Sequence, residues 1–91
     1  MKYEVMQMTK FRKDVKLLLK RGKDIEPLLS VVEKLANDEP LDETSRDHAL
    51  SGDYIGFREC HIGADWVLVY RKNLALLTLT LVRTGSHSDL F

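Results

Sequence analysis

The 91-residue chain sets 14 Lys and Arg against 14 Asp and Glu and is 44% hydrophobic, which marks a globular chain and excludes a disordered one. Domains cluster at roughly 100–150 residues, so residues 1–91 make one domain. Its core is too modest for a deep internal cavity, and an active site here is expected as a shallow groove that borrows a wall from a partner. No run approaches the ~18 apolar residues of a membrane span, the N-terminal Met-Lys-Tyr-Glu-Val-Met has no signal-peptide core, and the single Cys60 suits a reducing compartment. A cytoplasmic protein with no membrane partner is expected.

Lys2 to Met6 alternates, with Tyr3 and Val5 on one side, and predicts a short strand. Thr9 is the expected N-cap of a helix reaching about Arg21, with Phe11, Val15, Leu18 and Leu19 as its apolar stripe. Gly22 is the expected stop. Asp24 should cap a second helix, with Pro27 in its first turn and Ile25, Leu28, Leu29, Val32, Leu35 and Ala36 on its buried face. The short connection predicts an antiparallel helical hairpin.

From Asp38 to Asp53 no period is sustained, and a long loop containing His48 is expected. Strands follow: Tyr54 to about Cys60, then Trp66 to Arg71, apolar on both faces and therefore central. Lys72-Asn73 should turn the chain into a last strand, Leu74 to Thr84. The order is β-α-α-β-β-β. The simplest packing is an α+β sandwich, with the helical hairpin on one face of a four-stranded, mainly antiparallel sheet.

The zero net charge hides a segregation. Seven cationic residues lie between Lys10 and Lys23, and nine acidic residues lie between Asp24 and Asp53. The two regions suit a polyanion and a basic partner respectively, or else form two solvated helix faces.

The last nine residues, Arg83 to Phe91, combine a fixed guanidinium fork, a glycine turn at Gly85, the titratable His87 and a terminal aromatic. Such a stretch can hold, cleave and stack on a nucleotide, or be an ordinary terminus. His48, His61 and His87 are spaced 13 and 26 apart, which matches no metal motif. Cys60 neighbours His61 on a strand and so faces the other way, into the core. His48, His61, Asp65, Arg83 and His87 all sit at element boundaries, where they can converge. Together they supply what RNA cleavage needs: a base for the 2′-hydroxyl, an acid for the leaving 5′-oxygen and a cation for the phosphorane.

Arg46-Asp47-His48-Ala49-Leu50, Gly52, Gly56 to His61, Asp65 to Tyr70 and Arg83 to Phe91, in this order and spacing, resemble the YafQ branch of the RelE/ParE toxin superfamily. The match is close over the second half, and the element order matches throughout. The resemblance implies a toxin of a type II toxin–antitoxin module, a ribosome-dependent endoribonuclease that cuts messenger RNA in the decoding site. It implies proton transfer by His87 with His48, His61 or Asp65, Arg83 on the scissile phosphate, and Trp66 or Phe91 positioning or stacking on a base. The basic first helix, through Lys10, Arg12, Lys13, Lys16 and Lys20, would rest on ribosomal RNA. The implied partners are an antitoxin of DinJ/RelB type and the ribosome with its message, with no cofactor and no metal. The other reading on the same fold is a non-catalytic toxin of ParE type that poisons gyrase. The His/Asp/Arg set favours the nuclease, because a binding surface has no need of three imidazoles.

Overall fold

The computed structural model describes residues 2–91 and orders them as β1 (Glu4–Gln7), α1 (Thr9–Lys20), α2 (Glu26–Ala36), β2 (His48–Ala49), β3 (Arg58–Gly63), β4 (Trp66–Asn73), β5 (Thr78–Gly85) and α3 (His87–Leu90). The five strands form one sheet in the order β1-β5-β4-β3-β2. β1 runs parallel to β5, and the other pairings are antiparallel. The expected α+β class holds, with one strand more than expected. The extra strand is β2, two residues inside the acidic stretch read as loop, too short to show a period.

α1 ends as its residues dictate, while neither helix has its expected residue at the N-cap, which in α2 is Ile25. Gly22 takes φ 76, and the Gly22 and Lys23 amides bond back to the Leu19 and Leu18 carbonyls at 3.0 Å each. That crossed pair is a Schellman closure, available because glycine tolerates a left-handed backbone. The Asp24 carboxylate accepts the Glu26 amide at 3.0 Å, satisfying one of the free N–H groups at the start of α2. Thr9 does not cap α1: Met8 holds that place without a side-chain bond.

Phe11 from α1 and Leu28, Leu35 and Ala36 from α2 pack with Tyr3, Cys60, Trp66, Leu68, Tyr70, Leu79 and Leu81 in one core. Leu19 and Leu29, expected in the stripes, are exposed, and Val31 packs against the core. Cys60 is buried, as its neighbour His61 required.

β3 begins at Arg58 and not Tyr54, because a turn at Gly52–Tyr54 occupies the residues before it. β4 runs on to Asn73, and the tight turn expected at Lys72-Asn73 becomes a loop in which Leu77 takes φ 51 and the Asn73 side chain accepts the Leu76 amide.

Two irregularities in register decide what the sheet presents. In β3–β4 the pairing shifts between His61 and Gly63. In β4–β5, Tyr70 pairs with Leu81 but Val69 pairs with Arg83, so Val82 is an extra residue. Strict alternation from Leu79 and Leu81 would send Arg83 into the helical core. The bulge instead puts Arg83 on the face of Val69 and turns Thr84 inward beside Leu68.

Thr84 is 2% exposed; its hydroxyl accepts the Trp66 indole N–H at 2.9 Å and donates to the Val67 carbonyl at 2.9 Å. Thr84→Val keeps the shape but strands both groups, and an unpaired buried polar group costs about 1–3 kcal/mol. The denaturant midpoint of Thr84→Val should fall accordingly with an unchanged slope; an unaltered midpoint would show that the pair contributes nothing.

Candidate active site

The face of the sheet opposite the helices carries the site. Cys60, Leu68 and Tyr70 point into the helical core, so their neighbours Glu59, His61, Val67 and Val69 point the other way. Val67 and Val69 are fully buried and form the floor. His48 pairs with Glu59 across β2–β3 and so projects from the same face, as Arg83 does after the bulge.

Glu59 is at the centre and is only 3% exposed. Its Oε1 lies 2.8 Å from His87 Nε2 and 3.8 Å from both His48 Nε2 and His61 Nε2. The three imidazoles thus come from β2, β3 and α3 to one carboxylate. A carboxylate taken out of water requires such partners. The His61 and His87 rings stand 5.5 Å apart, centroid to centroid. Asp65, in the β3–β4 turn, reaches within 3.7 Å of His87 Nδ1. His87 therefore has a carboxylate at each ring nitrogen, one buried and one exposed.

Each imidazole is delivered by local structure. The Ser86 hydroxyl caps α3 by accepting the Asp89 amide at 3.2 Å, which starts the helix that lifts His87 over the sheet. His48 Nδ1 lies 2.6 Å from the Arg46 carbonyl; a carbonyl only accepts, so Nδ1 carries the hydrogen and Nε2 is left facing Glu59. β2 itself is pinned by Asp47, whose Oδ1 accepts from the Tyr70 hydroxyl at 2.5 Å and from Arg58 Nε at 3.3 Å. Burial first, and then the Asp47 carboxylate, push the Tyr70 hydroxyl well above the ordinary phenol range, so it remains a donor.

Arg83 is not a loose cation. Its Nε and Nη2 donate to Asp14 of α1 at 2.7 and 3.1 Å, and the same carboxylate accepts the Thr84 amide at 3.1 Å. β1 leaves the sheet after Gln7, opposite Leu81, and Asp14 takes up the β5 edge beyond it. The hydrogen bond to Asp14 raises the Arg83 pKa further, so the charge is permanent. Nη1 has no hydrogen-bond partner among the described residues.

Phe91, half exposed, lies 6.0 Å from the His87 ring and 5.0 Å edge-on from Tyr54. Trp66 is apart from this group: it is 6% exposed on the core side of β4, with Lys23 over its ring at 4.9 Å. Lys10, Arg12, Lys13, Lys16 and Lys20 are all exposed on α1, and none is ion-paired among the described residues.

Thus His48, His61, Asp65 and His87 converge, Arg83 shares their face, and Phe91 flanks them. Glu59 and Tyr54 were not expected from sequence. Glu59 had a signal, since it lies two residues from His61 on a strand and must share its face. Tyr54 had none, lying in a turn.

Glu59, His61 and His87 bring a carboxylate oxygen and two imidazole nitrogens within 4.8 Å of one another. Such a donor set suits a transition-metal ion, which would supply Lewis-acid chemistry there. The histidine spacing concealed this set because Glu59 and His61 share β3 while His87 comes from α3, 26 residues further on.

Comparison with known proteins shows what the chain is similar to. Residues 3–91 match the model of the family described as the bacterial toxin of type II toxin–antitoxin system, YafQ. The mRNA interferase toxin YafQ of Escherichia coli K12 is 40% identical over 82 residues, 89% of this chain and 87% of that one. The crystal structure of a metal-bound toxin from Helicobacter pylori, 45% identical, superposes with a TM-score of 0.91 over 98% of this chain and 99% of that one. The toxin in the Escherichia coli DinJ–YafQ toxin–antitoxin complex, 35% identical, does so with a TM-score of 0.88 over 100% of this chain and 99% of that one.

Cys60 lies beside the centre but takes no part in it. Burial, reinforced by the Asp47 and Glu59 carboxylates, pushes its thiol up to about 12. The nucleophilic thiolate is therefore absent at neutral pH. The native protein should resist a thiol-alkylating reagent at neutral pH for a time in which the unfolded protein is fully modified; equal rates would contradict the assignment.

Proposed function

The chain belongs to the YafQ family of bacterial toxins of type II toxin–antitoxin systems, and from that premise we propose how residues 1–91, as a single toxin domain, do their work. The protein is an mRNA interferase, an endoribonuclease. It cleaves messenger RNA on the ribosome, in the cytoplasm, and is restrained by a protein antitoxin of DinJ/RelB type. The observation that carries the chemical reading is the convergence of three imidazoles on the buried Glu59.

Cleavage requires the 2′-oxygen to attack the adjacent phosphorus, forming one P–O bond while the bond to the 5′-oxygen breaks. The products are a 2′,3′-cyclic phosphate and a 5′-hydroxyl. One imidazole takes the 2′-hydroxyl proton and another gives a proton to the 5′-oxygen. His87 is the favoured proton carrier, because Glu59 fixes Nε2 at 2.8 Å and leaves Nδ1, beside Asp65, open to substrate. His48 and His61 complete the pair. Glu59 orients all three and offsets the charge of whichever ring is protonated.

Arg83 serves the phosphorane through Nη1, with Asp14 fixing the plane of its guanidinium. Phe91, braced by Tyr54, offers a stacking surface for a base. Trp66 supports the site from below through Thr84. The unpaired cations of α1 suit ribosomal RNA, to which they would bind by releasing counterions.

The test is single-turnover cleavage of ribosome-bound message beside ribosome affinity. His87→Ala removes a proton carrier and the nearest partner of Glu59, so cleavage should fall ~10²–10⁴-fold while ribosome binding persists, measured at a temperature where circular dichroism shows the less stable variant still folded. Normal binding with a near-normal rate would show that His87 moves no proton.

A further inference from the structure

A cavity of about 600 Å³ opens between α2, the turn at Glu43–Ser45 and the β3–β4 connection, and no step above uses it. We propose that it is a nucleotide subsite, which holds the residue of the RNA next to the scissile phosphate. The proposal rests on the reading of the chain as an RNA-cleaving enzyme and adds a second place where substrate is held.

Its position is the first argument. His61 lines the cavity and also faces Glu59 at the catalytic centre, so a polymer lying across His61 reaches both places at once. A free metabolite would have no reason to sit against a catalytic imidazole, whereas the neighbour of the cleaved nucleotide must.

The lining is the second. Val31 and Ile62 pack against the core and give an apolar wall for the flat face of a base. Lys34 and Arg46 supply two cations against the single carboxylate of Asp42, and neither is ion-paired among the described residues. An apolar wall with a few cations suits a base joined to a phosphate. The volume falls within the roughly 300–1,000 Å³ of small-molecule sites.

The third is a mechanical link. Arg46 is held at φ 47, and its carbonyl is the group that accepts His48 Nδ1. The residue that would touch the neighbouring nucleotide thus also sets the tautomer of an imidazole at the cut.

Ser30 lines the cavity from the exposed side of α2, so Ser30→Phe fills it without entering the core. Lys34→Ala removes one cation from a helix that tolerates alanine well. Single-turnover kcat/KM on ribosome-bound message should fall on the order of tenfold for each variant, the equivalent of about 1.4 kcal/mol. Circular dichroism and antitoxin binding should be unchanged. On a message that is abasic next to the cut, wild type and Ser30→Phe should become alike. Rates close to wild type for both variants would overturn the subsite, as would a Ser30→Phe defect that persists on the abasic message. Lost antitoxin binding with intact cleavage would also overturn it and give the cavity to the antitoxin. Failure of the wild type to cleave any message would instead sink the RNA-cleaving reading itself.

Discussion

The site depends on a carboxylate placed where water does not reach it. Glu59 stands in the middle of a sheet, over a floor of Val67 and Val69, and is 3% exposed. Burying that group is costly unless donors surround it. Here His87 makes the hydrogen bond, at 2.8 Å, and the His48 and His61 rings stand 3.8 Å away, so imidazoles from three separate elements surround the carboxylate. The need to satisfy Glu59 thus helps draw β2 and α3 onto the sheet. Neither element could hold itself there: β2 has two residues and α3 has four. Stability and chemistry are served by the same contacts.

Arg83 shows the same economy at the sheet edge. One extra residue in β5 rotates it out of the helical core, and the end of β1 leaves an amide that Asp14 must satisfy. Asp14 answers with both oxygens, so the guanidinium is fixed in direction before any ligand arrives. A pre-organised cation loses little on binding, which is what stabilisation of a fleeting phosphorane requires.

The sequence was most informative where a residue acts through its own backbone or its near neighbours. Gly22 as a helix stop, the apolar run from Trp66 and the inward turn of Cys60 all followed from local rules, and Asp24 accepts an amide at the start of α2 although Ile25 holds the N-cap. The Val82 bulge did not, because nothing in Leu-Thr-Leu-Val-Arg-Thr breaks alternation. The two-residue strand at His48 was invisible for want of length. Leu19 and Leu29 misled because helical spacing marks a stripe without saying how wide a face the sheet will cover. Among the site residues, the quoted motifs identified those that converge. Glu59 lies inside one of those motifs but was given no role there, because an acidic residue in a strand reads as solvent-facing unless its shared face with His61 is taken into account. Trp66 was expected to position or stack on a base, but it lies beneath the floor, in the core.

The central claim is that Glu59 and His87 act as one unit, and a double-mutant cycle on single-turnover cleavage addresses it directly. Glu59→Gln, His87→Ala and the double variant are compared on the same ribosome-bound message. If Glu59 works by holding His87, each single change should be severe, and Glu59→Gln should cost little once His87 is gone, because residues acting as a unit are strongly non-additive. Costs that simply add in the double variant would show that the two residues act independently and would contradict the account.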